Sequence, residues 1–307
     1  MNQRQSNSKH ILITGGTGLI GKLMTDKLID LGYQVSYLSR KPGNNPNVKT
    51  YLWDIVKGRI DENCIDDIDA VLHLAGAGIA DKRWTDKRKK EIIESRTKSI
   101  GMIYRLIKNK PNKINTIISA SAIGYYSNRG DELLTEQSLP GRDFMAQCCM
   151  EWEDAVDKGR ALGLRILKFR TGVVLYKDEG ALPQMAMPVK LGFGAPFGNG
   201  KQWIPWIHWQ DVVDMYLYGI ENINLTGVYN MVAPEPVTNK QLIKALAKQL
   251  HRPAWPVKVP AFVFKLLMGE MSTLVLGSTK VSAQKIEKDG FVFKYPDLPM
   301  ALKEIYG

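Results

Sequence analysis

The residues best suited to chemistry lie in short runs near the start of the chain. Gly15-Gly16-Thr17-Gly18-Leu19-Ile20-Gly21 follows the apolar run Ile11-Leu12-Ile13 and opens a helical pattern. That is the context in which a glycine loop cradles a pyrophosphate. Gly16 and Gly18 would let the backbone turn and approach the phosphates, Gly21 would allow close helix packing, and the amides opening the helix would supply donors. Ser39-Arg40-Lys41 stands where an NAD-preferring loop keeps an Asp or Glu, about 20 residues past the glycines. A guanidinium there pairs with a 2′-phosphate through two parallel bonds, so the run predicts NADP(H) over NAD(H); the competing reading is a pair of solvated loop charges. Asp54 has two readings, an acceptor for the adenine amino group or an ordinary turn residue. Ala75-Gly76-Ala77 is small enough to leave room for the middle of the cofactor.

These runs need a scaffold that brings strand ends together. Ile11–Ile13, a helix over Leu23–Leu31, Gly32 as its stop and Val35–Leu38 make one βαβ unit. Further strand-like runs at Thr50–Trp53, Ala70–Leu74, Thr116–Ser119 and Ile166–Phe169 alternate with helical stretches. The pattern predicts an α/β fold with a doubly wound parallel (Rossmann) sheet. Beyond Leu175 a glycine- and proline-rich stretch, Gly192–Pro205, suits a long loop over a ligand. The sheet is expected to resume near Ile207 and over Val228–Val232. Helices over Asn239–Leu250 and Ala261–Leu267 then mark a smaller C-terminal substrate lobe. The expected division is a cofactor domain over 9–175, completed by about 207–232, and a lobe made of 176–206 and 233–307.

Composition narrows the partners. The chain has 307 residues, 44% hydrophobic and 24% charged, as a globular protein with a sizeable core should. No 18-residue apolar stretch occurs; the richest, Pro260–Leu276, is broken by Lys265, Gly269 and Glu270 and reads as a core or lobe helix. The polar start, Met1–Lys9, lacks a secretory apolar run, so a cytoplasmic location and no membrane partner are expected. Cys64, Cys148 and Cys149 have no metal-ligand spacing and are expected reduced and buried, with no metal. The net charge of +11 favours an anionic partner. Eight Lys or Arg fall within Asp81–Lys98, yet Trp84, Ile92 and Ile93 give that stretch an apolar face, which describes a solvated amphipathic helix. With no nucleic-acid module in view, a small-molecule substrate is expected and nucleic acid is not.

The glycine loop together with Ser119-Ala120-Ser121-Ala122-Ile123-Gly124-Tyr125-Tyr126 resembles the extended short-chain dehydrogenase/reductases, the group of nucleotide-sugar epimerases and dehydratases. Arg83-Trp84-Thr85, Trp152-Glu153, Arg170–Leu175 and Trp206–Asp211 resemble one epimerase-like branch, typified by the bacterial YfcH proteins, and residues 256–302 resemble its small C-terminal module. The resemblance implies bound NADP(H) and a substrate cleft against the lobe. It assigns Ser121 to the substrate oxygen, beside the plainer reading of a turn serine. It also calls for a Tyr and, four residues on, a Lys in the helix Arg142–Leu162. That helix has no tyrosine; the places fall around Phe144 or Met145 and Cys148 or Cys149, which cannot move a proton in that way. Two decoys with the right spacing, Tyr37 with Lys41 and Tyr104 with Lys108, precede Ser121. The nearest remaining proton carriers are Tyr125 and Tyr126, then Asp131 or Glu132; Cys149 has no activating His nearby in sequence. On the substrate side Trp203 is expected as a wall and Arg83, with Arg96, as a contact to an anionic substrate. His208 reads as a substrate contact or as a satisfied core residue. The expected function is an NADP(H)-binding epimerase-like oxidoreductase acting on a carbonyl or hydroxyl compound, a nucleotide sugar being one candidate. The alternative is an NADP(H)-binding sensor or scaffold without catalysis. No oligomerisation face is legible.

Overall fold

A computed structural model describes residues 9–307; of the polar segment Met1–Lys9, all but Lys9 lies outside the described residues. Apolar runs form one eight-stranded sheet: β1 (His10–Thr14), β2 (Gln34–Ser39), β3 (Lys49–Asp54), β4 (Arg59–Ile60), β5 (Ala70–His73), β6 (Thr116–Ala122), β8 (Arg165–Thr171) and β12 (Gly227–Met231). The order is β12-β8-β6-β5-β1-β2-β3-β4, parallel except for the β3–β4 pair. Ile11, Leu12 and Ile13 are fully buried because helices cover both faces, which is why such strands read as unbroken apolar runs. The chain moves outward from β1 to β3, then crosses back to β5. That reversal leaves a crevice beyond the carboxyl ends of β1 and β5, the place where doubly wound sheets bind ligands. The expected doubly wound α/β class is present.

Helices α1 (Leu19–Asp30) and α5 (Trp209–Glu221) cover one face, sharing a core with Ile13, Leu28, Phe169 and Tyr216. Helices α2 (Asp86–Asn109) and α3 (Phe144–Asp157) cover the other, around Ile103, Ile117 and Trp152. Helix α1 starts at Leu19, earlier than expected, because Gly18 already serves as its N-cap. Helix α2 starts later than expected, at Asp86, where the Thr85 hydroxyl accepts the Arg88 N–H.

A third core joins α4 (Ala181–Lys190), α6 (Asn239–Gln249) and α10 (Leu298–Tyr306) through Leu182, Leu242, Leu246 and Leu302. Three short pairs stitch this part to the sheet: β7 (Leu133–Leu134) with β14 (Lys280–Val281), β9 (Val173–Leu175) with β11 (Trp206–His208), and β10 (Trp203–Ile204) with β13 (Val237–Thr238). The expectation for Ile207 is therefore corrected: it lies in β11, which pairs with β9 outside the main sheet, and only β12 rejoins it. The apolar stretch from Pro260 gives α7 (Ala261–Met268) and α8 (Thr273–Leu276), and α9 (Gln284–Lys288) follows. Helix α7 has no buried residue, so it belongs to the lobe and not to a core.

Candidate functional site

A cleft of about 420 Å³ opens at the switch point, lined by the glycine loop, the ends of β2 and β3, and one side of α2. Gly15 makes the turn, at φ +74, and a Cβ there would lie 2.9 Å from the Leu74 carbonyl carbon. Gly16 serves closeness: its Cβ would fall 2.3 Å from the Tyr37 ring, whose hydroxyl is held at 2.7 Å by Thr25 Oγ1. Sequence assigned turn and approach jointly to Gly16 and Gly18; the left-handed turn lies at Gly15. Gly18 caps α1 without a side chain, so the first-turn amides at Leu19 and Ile20 have no side-chain cap; these two residues do not themselves line the cleft.

Ser39 and Arg40 end β2 on the cleft's rim, and Arg40 is exposed with no carboxylate partner among the described residues. Lys41 does not line the cleft; its N–H donates to Ser39 Oγ at 3.3 Å. Asp54 lines the cleft and also closes a turn, its Oδ1 accepting the Val56 and Lys57 N–H groups at 3.0 Å each. Ala75, Gly76 and Ala77 form the facing wall, and the Ala75 N–H is fixed by Thr14 Oγ1 at 3.1 Å. The two carboxylates that α2 offers here are already paired, Glu91 with Arg88 at 2.8 Å and Glu94 with Lys98 at 3.0 Å. The bond from Arg88 holds the Glu91 carboxyl below its usual range. Little negative charge therefore remains free to repel a phosphate.

A second cleft, about 410 Å³, lies between the carboxyl end of the sheet and the lobe, lined among others by Gly124, Met145, Trp203 and Lys265. Met145 and Cys149 follow each other by one helical turn along α3 and pack on Gly124: a Cβ there would lie 2.8 Å from Met145 Cε and 3.7 Å from Cys149 Sγ. Of the alternatives for the missing Tyr and Lys, Phe144 or Met145 and Cys148 or Cys149, these are the two that face the serine loop. Burial pushes the Cys149 thiol far up, which removes it as a nucleophile. Among the described residues this lining holds one carboxylate, Asp143, and one ammonium, Lys265. Asp143 Oδ1 caps α3 by accepting the Ala146 N–H at 2.9 Å.

Residues 11–231 match the NAD dependent epimerase/dehydratase family, and 259–305 match a domain of unknown function, DUF1731. The chain belongs to the NAD dependent epimerase/dehydratase family. It is 36% identical to the epimerase family protein YfhF of Bacillus subtilis over 298 residues, 96% of this chain and 97% of that one. It superposes on the crystal structure of the human epimerase family protein SDR39U1 with NADPH at TM-score 0.84 and 30% identity, covering 97% of this chain and 99% of that one. A Corynebacterium glutamicum nucleoside-diphosphate sugar epimerase is similar at TM-score 0.81 and 32% identity, over 98% of this chain and 58% of that one.

In this member of the epimerase/dehydratase family the serine loop rests on a buried ion pair. Ser121 is buried, lines neither cleft, and donates to Glu153 Oε1 at 2.7 Å. Arg170 grips the same carboxylate with two bonds, Nε to Oε1 at 2.7 Å and a terminal nitrogen to Oε2 at 2.9 Å. Arg170 also stacks 3.4 Å over the Tyr125 ring and donates to the Tyr126 hydroxyl at 3.0 Å. Tyr126 is fully enclosed, donates to Asn230 Oδ1 at 2.6 Å, and has its phenol pushed up to about 12 by burial. The structure thus brings Ser121, Tyr125 and Tyr126 together around one ion pair and not around a cleft.

Other expectations are corrected by geometry. His208 is buried and caps α5 by accepting the Gln210 N–H at Nδ1, with Nε2 2.8 Å from Glu304; burial lowers its pKa, and it is the core residue of its two readings. Arg83 reaches no cleft and donates to the carbonyls of Leu266 and Leu267 at 3.3 and 3.0 Å, clamping α7. Arg96 is held below Gly76 by the Ala77 and Ile92 carbonyls. Asp131 accepts the Trp203 indole N–H at 2.7 Å, and Glu132 pairs with Arg129. The decoy tyrosines are structural, since Tyr104 donates to the Val156 carbonyl as Tyr37 holds Thr25. All three cysteines are free and buried. Sequence reasoning missed Asp143 and Lys265. Asp143 carried the signal of a helix cap, and nothing local tells that its helix starts at a cleft.

Proposed function

We propose that this protein is an NADP(H)-dependent epimerase-like oxidoreductase of the cytoplasm, with the cofactor in the first cleft and a carbonyl or hydroxyl compound in the second. Residues 9–175, completed by 207–232, would form the cofactor unit, and 176–206 with 233–307 the substrate lobe. The observation that carries the reading is Arg40, a guanidinium with no carboxylate partner among the described residues, at the end of β2 on the rim of a glycine-loop cleft whose α2 carboxylates are already engaged. The amides opening α1 would hold the pyrophosphate, Arg40 with Ser39 the 2′-phosphate, and Asp54 the adenine edge. When bound, the cofactor gives or takes a hydride. In the second cleft Asp143 holds or moves the proton, standing two residues before Met145 on the same helix start. Lys265 meets a negative group of the substrate, and Trp203 walls it; a nucleotide sugar, named for the Corynebacterium relative, is one candidate. Ser121 is a positioning residue that fixes the loop before Gly124 to α3 through Glu153.

Titration of protein fluorescence with NADPH and NADH, on the natural chain and on Arg40→Ala, tests the cofactor assignment. The expected result is NADPH preference of at least about tenfold, lost in the variant because a charge-assisted pair of roughly 1.5–3 kcal/mol is removed. Equal affinities in the natural chain would overturn it. A second reading, a cofactor-binding sensor without turnover, is favoured by Met145 and Cys149 standing in the proton-handling places. Substrate-dependent NADPH oxidation across a carbonyl panel, abolished by Asp143→Asn, would exclude the sensor; no oxidation of any member would favour it.

A further inference from the structure

Helix α7 carries the sequence Ala-Phe-Val-Phe-Lys-Leu-Leu-Met and buries none of it, with Phe262 68% and Leu266 75% exposed. The helix is nonetheless fixed in place. Phe264 packs on Phe197 with ring centroids 5.0 Å apart, Arg83 holds the carbonyls at its end, and Lys89 pairs with Glu270 just beyond it. Bridges from Gly194 to Ala254 and from Phe197 to Val259 lay the loop before it beside the glycine-rich loop, and that loop adds exposed Trp255 and Val257 next to exposed Phe193. A single soluble chain seldom leaves so many large apolar side chains in one neighbourhood without use.

The charge of the segments that build this face is one-sided, Glu270 just beyond α7 being paired with Lys89. Between Glu235 and Glu270 the sequence has no Asp or Glu, while Lys240, Lys244, Lys248, Arg252, Lys258 and Lys265 occur there, all exposed. Between Glu179 and Asp211 there is again no carboxylate, and Lys190 and Lys201 are exposed. Phe193, Trp255, Phe262 and Leu266 line neither cleft, so the apolar side chains stand outward. Aromatic and leucine side chains bordered by lysines, on a short helix lying flat against its domain, match the chemistry of a bilayer interface carrying anionic headgroups.

We infer that the α7 face docks this protein peripherally on an anionic membrane surface. Phe262, Leu266 and Trp255 enter the headgroup boundary, and Lys240, Lys244, Lys248, Arg252 and Lys258 meet lipid phosphates. The same helix lends Ala261 and Lys265 to the second cleft, so docking sets that cleft beside the headgroups. This revises the expectation from sequence that the chain meets no membrane, and it does not depend on the proposed reaction.

Co-sedimentation of the full chain with vesicles of phosphatidylglycerol and phosphatidylcholine, against vesicles of phosphatidylcholine alone, tests it. The chain is expected to pellet with the mixed vesicles, to pellet poorly with neutral ones, and to be released by added salt. A Phe262→Ser, Leu266→Ser double variant, whose intact fold is checked by its NADPH affinity, is expected to lose binding by about tenfold or more. An Arg252→Glu, Lys258→Glu variant is expected to lose it without touching the apolar side chains. No pelleting with anionic vesicles, or pelleting unchanged in both variants, overturns the inference. So does a concentration-dependent dimer that the serine variant abolishes, because a second copy would then be the occupant.

Discussion

The two clefts of this molecule are built from different material. The first cleft, where we propose the cofactor sits, is a matter of backbone: Gly15 turns, Gly16 makes room for the Tyr37 ring, and Gly21 lets α1 pack on the loop. Its parts come in short runs at the carboxyl ends of β1, β2, β3 and β5, with one side of α2 closing it. The second cleft is assembled from side chains that arrive from far apart, Asp143 and Met145 from α3, Trp203 from β10, and Lys265 from α7. Beneath it runs a buried ion pair. A backbone site survives changes of side chain elsewhere, whereas a side-chain site is as firm as the groups that brace it.

The comparison is broken hardest at Glu153. Its carboxylate is shared by Ser121 and Arg170 and lies 3.7 Å from Lys168, which also reaches Asp157. Glu153→Ala leaves Arg170 buried without its counter-charge, so a loss of about 3–5 kcal/mol is expected, read from the urea unfolding midpoint. If the clefts are braced independently, the folded variant keeps its NADPH affinity. A parallel fall in affinity would show that the ion pair also supports the cofactor site.

Gly16 tests the other side. Gly16→Ala puts a carbon 2.3 Å from the Tyr37 ring, which is itself fixed to Thr25, so the glycine loop must shift. A rise in the NADPH dissociation constant of about 100-fold, near 2.7 kcal/mol, is expected by the same titration. Pairing the change with Tyr37→Ala, which vacates the ring's volume, is expected to restore part of the affinity. No recovery in the double variant would place the defect in the loop's own conformation.

The same contrast explains what could be read from sequence. The sheet was legible because parallel strands buried on both faces are unbroken apolar runs, and the glycine loop because a local motif makes a local structure. Ile207 was misplaced because an apolar triplet does not say which strand it will pair with. Arg83 and Tyr126 were misread, and His208 was left between two readings, because each is polar and stands beside aromatic residues, a pattern common to binding sites and to satisfied cores. Only the partners separate the two cases, and those partners, Leu266, Glu304 and Asn230, lie about 100 residues or more away. Helix α7 is the converse case: its apolar composition left core and lobe both open, and the neighbouring lysines were the signal of a surface.

The smallest effect probes the ground between the clefts. His73 ends β5, fully buried, with Ser119 Oγ 3.2 Å from Nδ1 and Ser99 Oγ 2.8 Å from Nε2. Burial, aided by the charge of Arg96, lowers its pKa from 6.5 to about 3. The folded chain keeps this ring neutral while the unfolded chain protonates it below 6.5. Its contribution to stability is therefore whole above pH 6.5 and is lost as the pH falls toward 3, at up to about 1.4 kcal/mol per pH unit. His10 and His208, also lowered by burial, add slope of the same sign. His73→Asn keeps a polar group for the two serines and removes the titration, so its unfolding free energy should fall less steeply than the natural chain's between pH 6.5 and 4.5. Urea melts of both chains across that window give the difference in slope directly. Parallel slopes would mean that His73 takes up its proton in the folded state, and that the space below the clefts admits water.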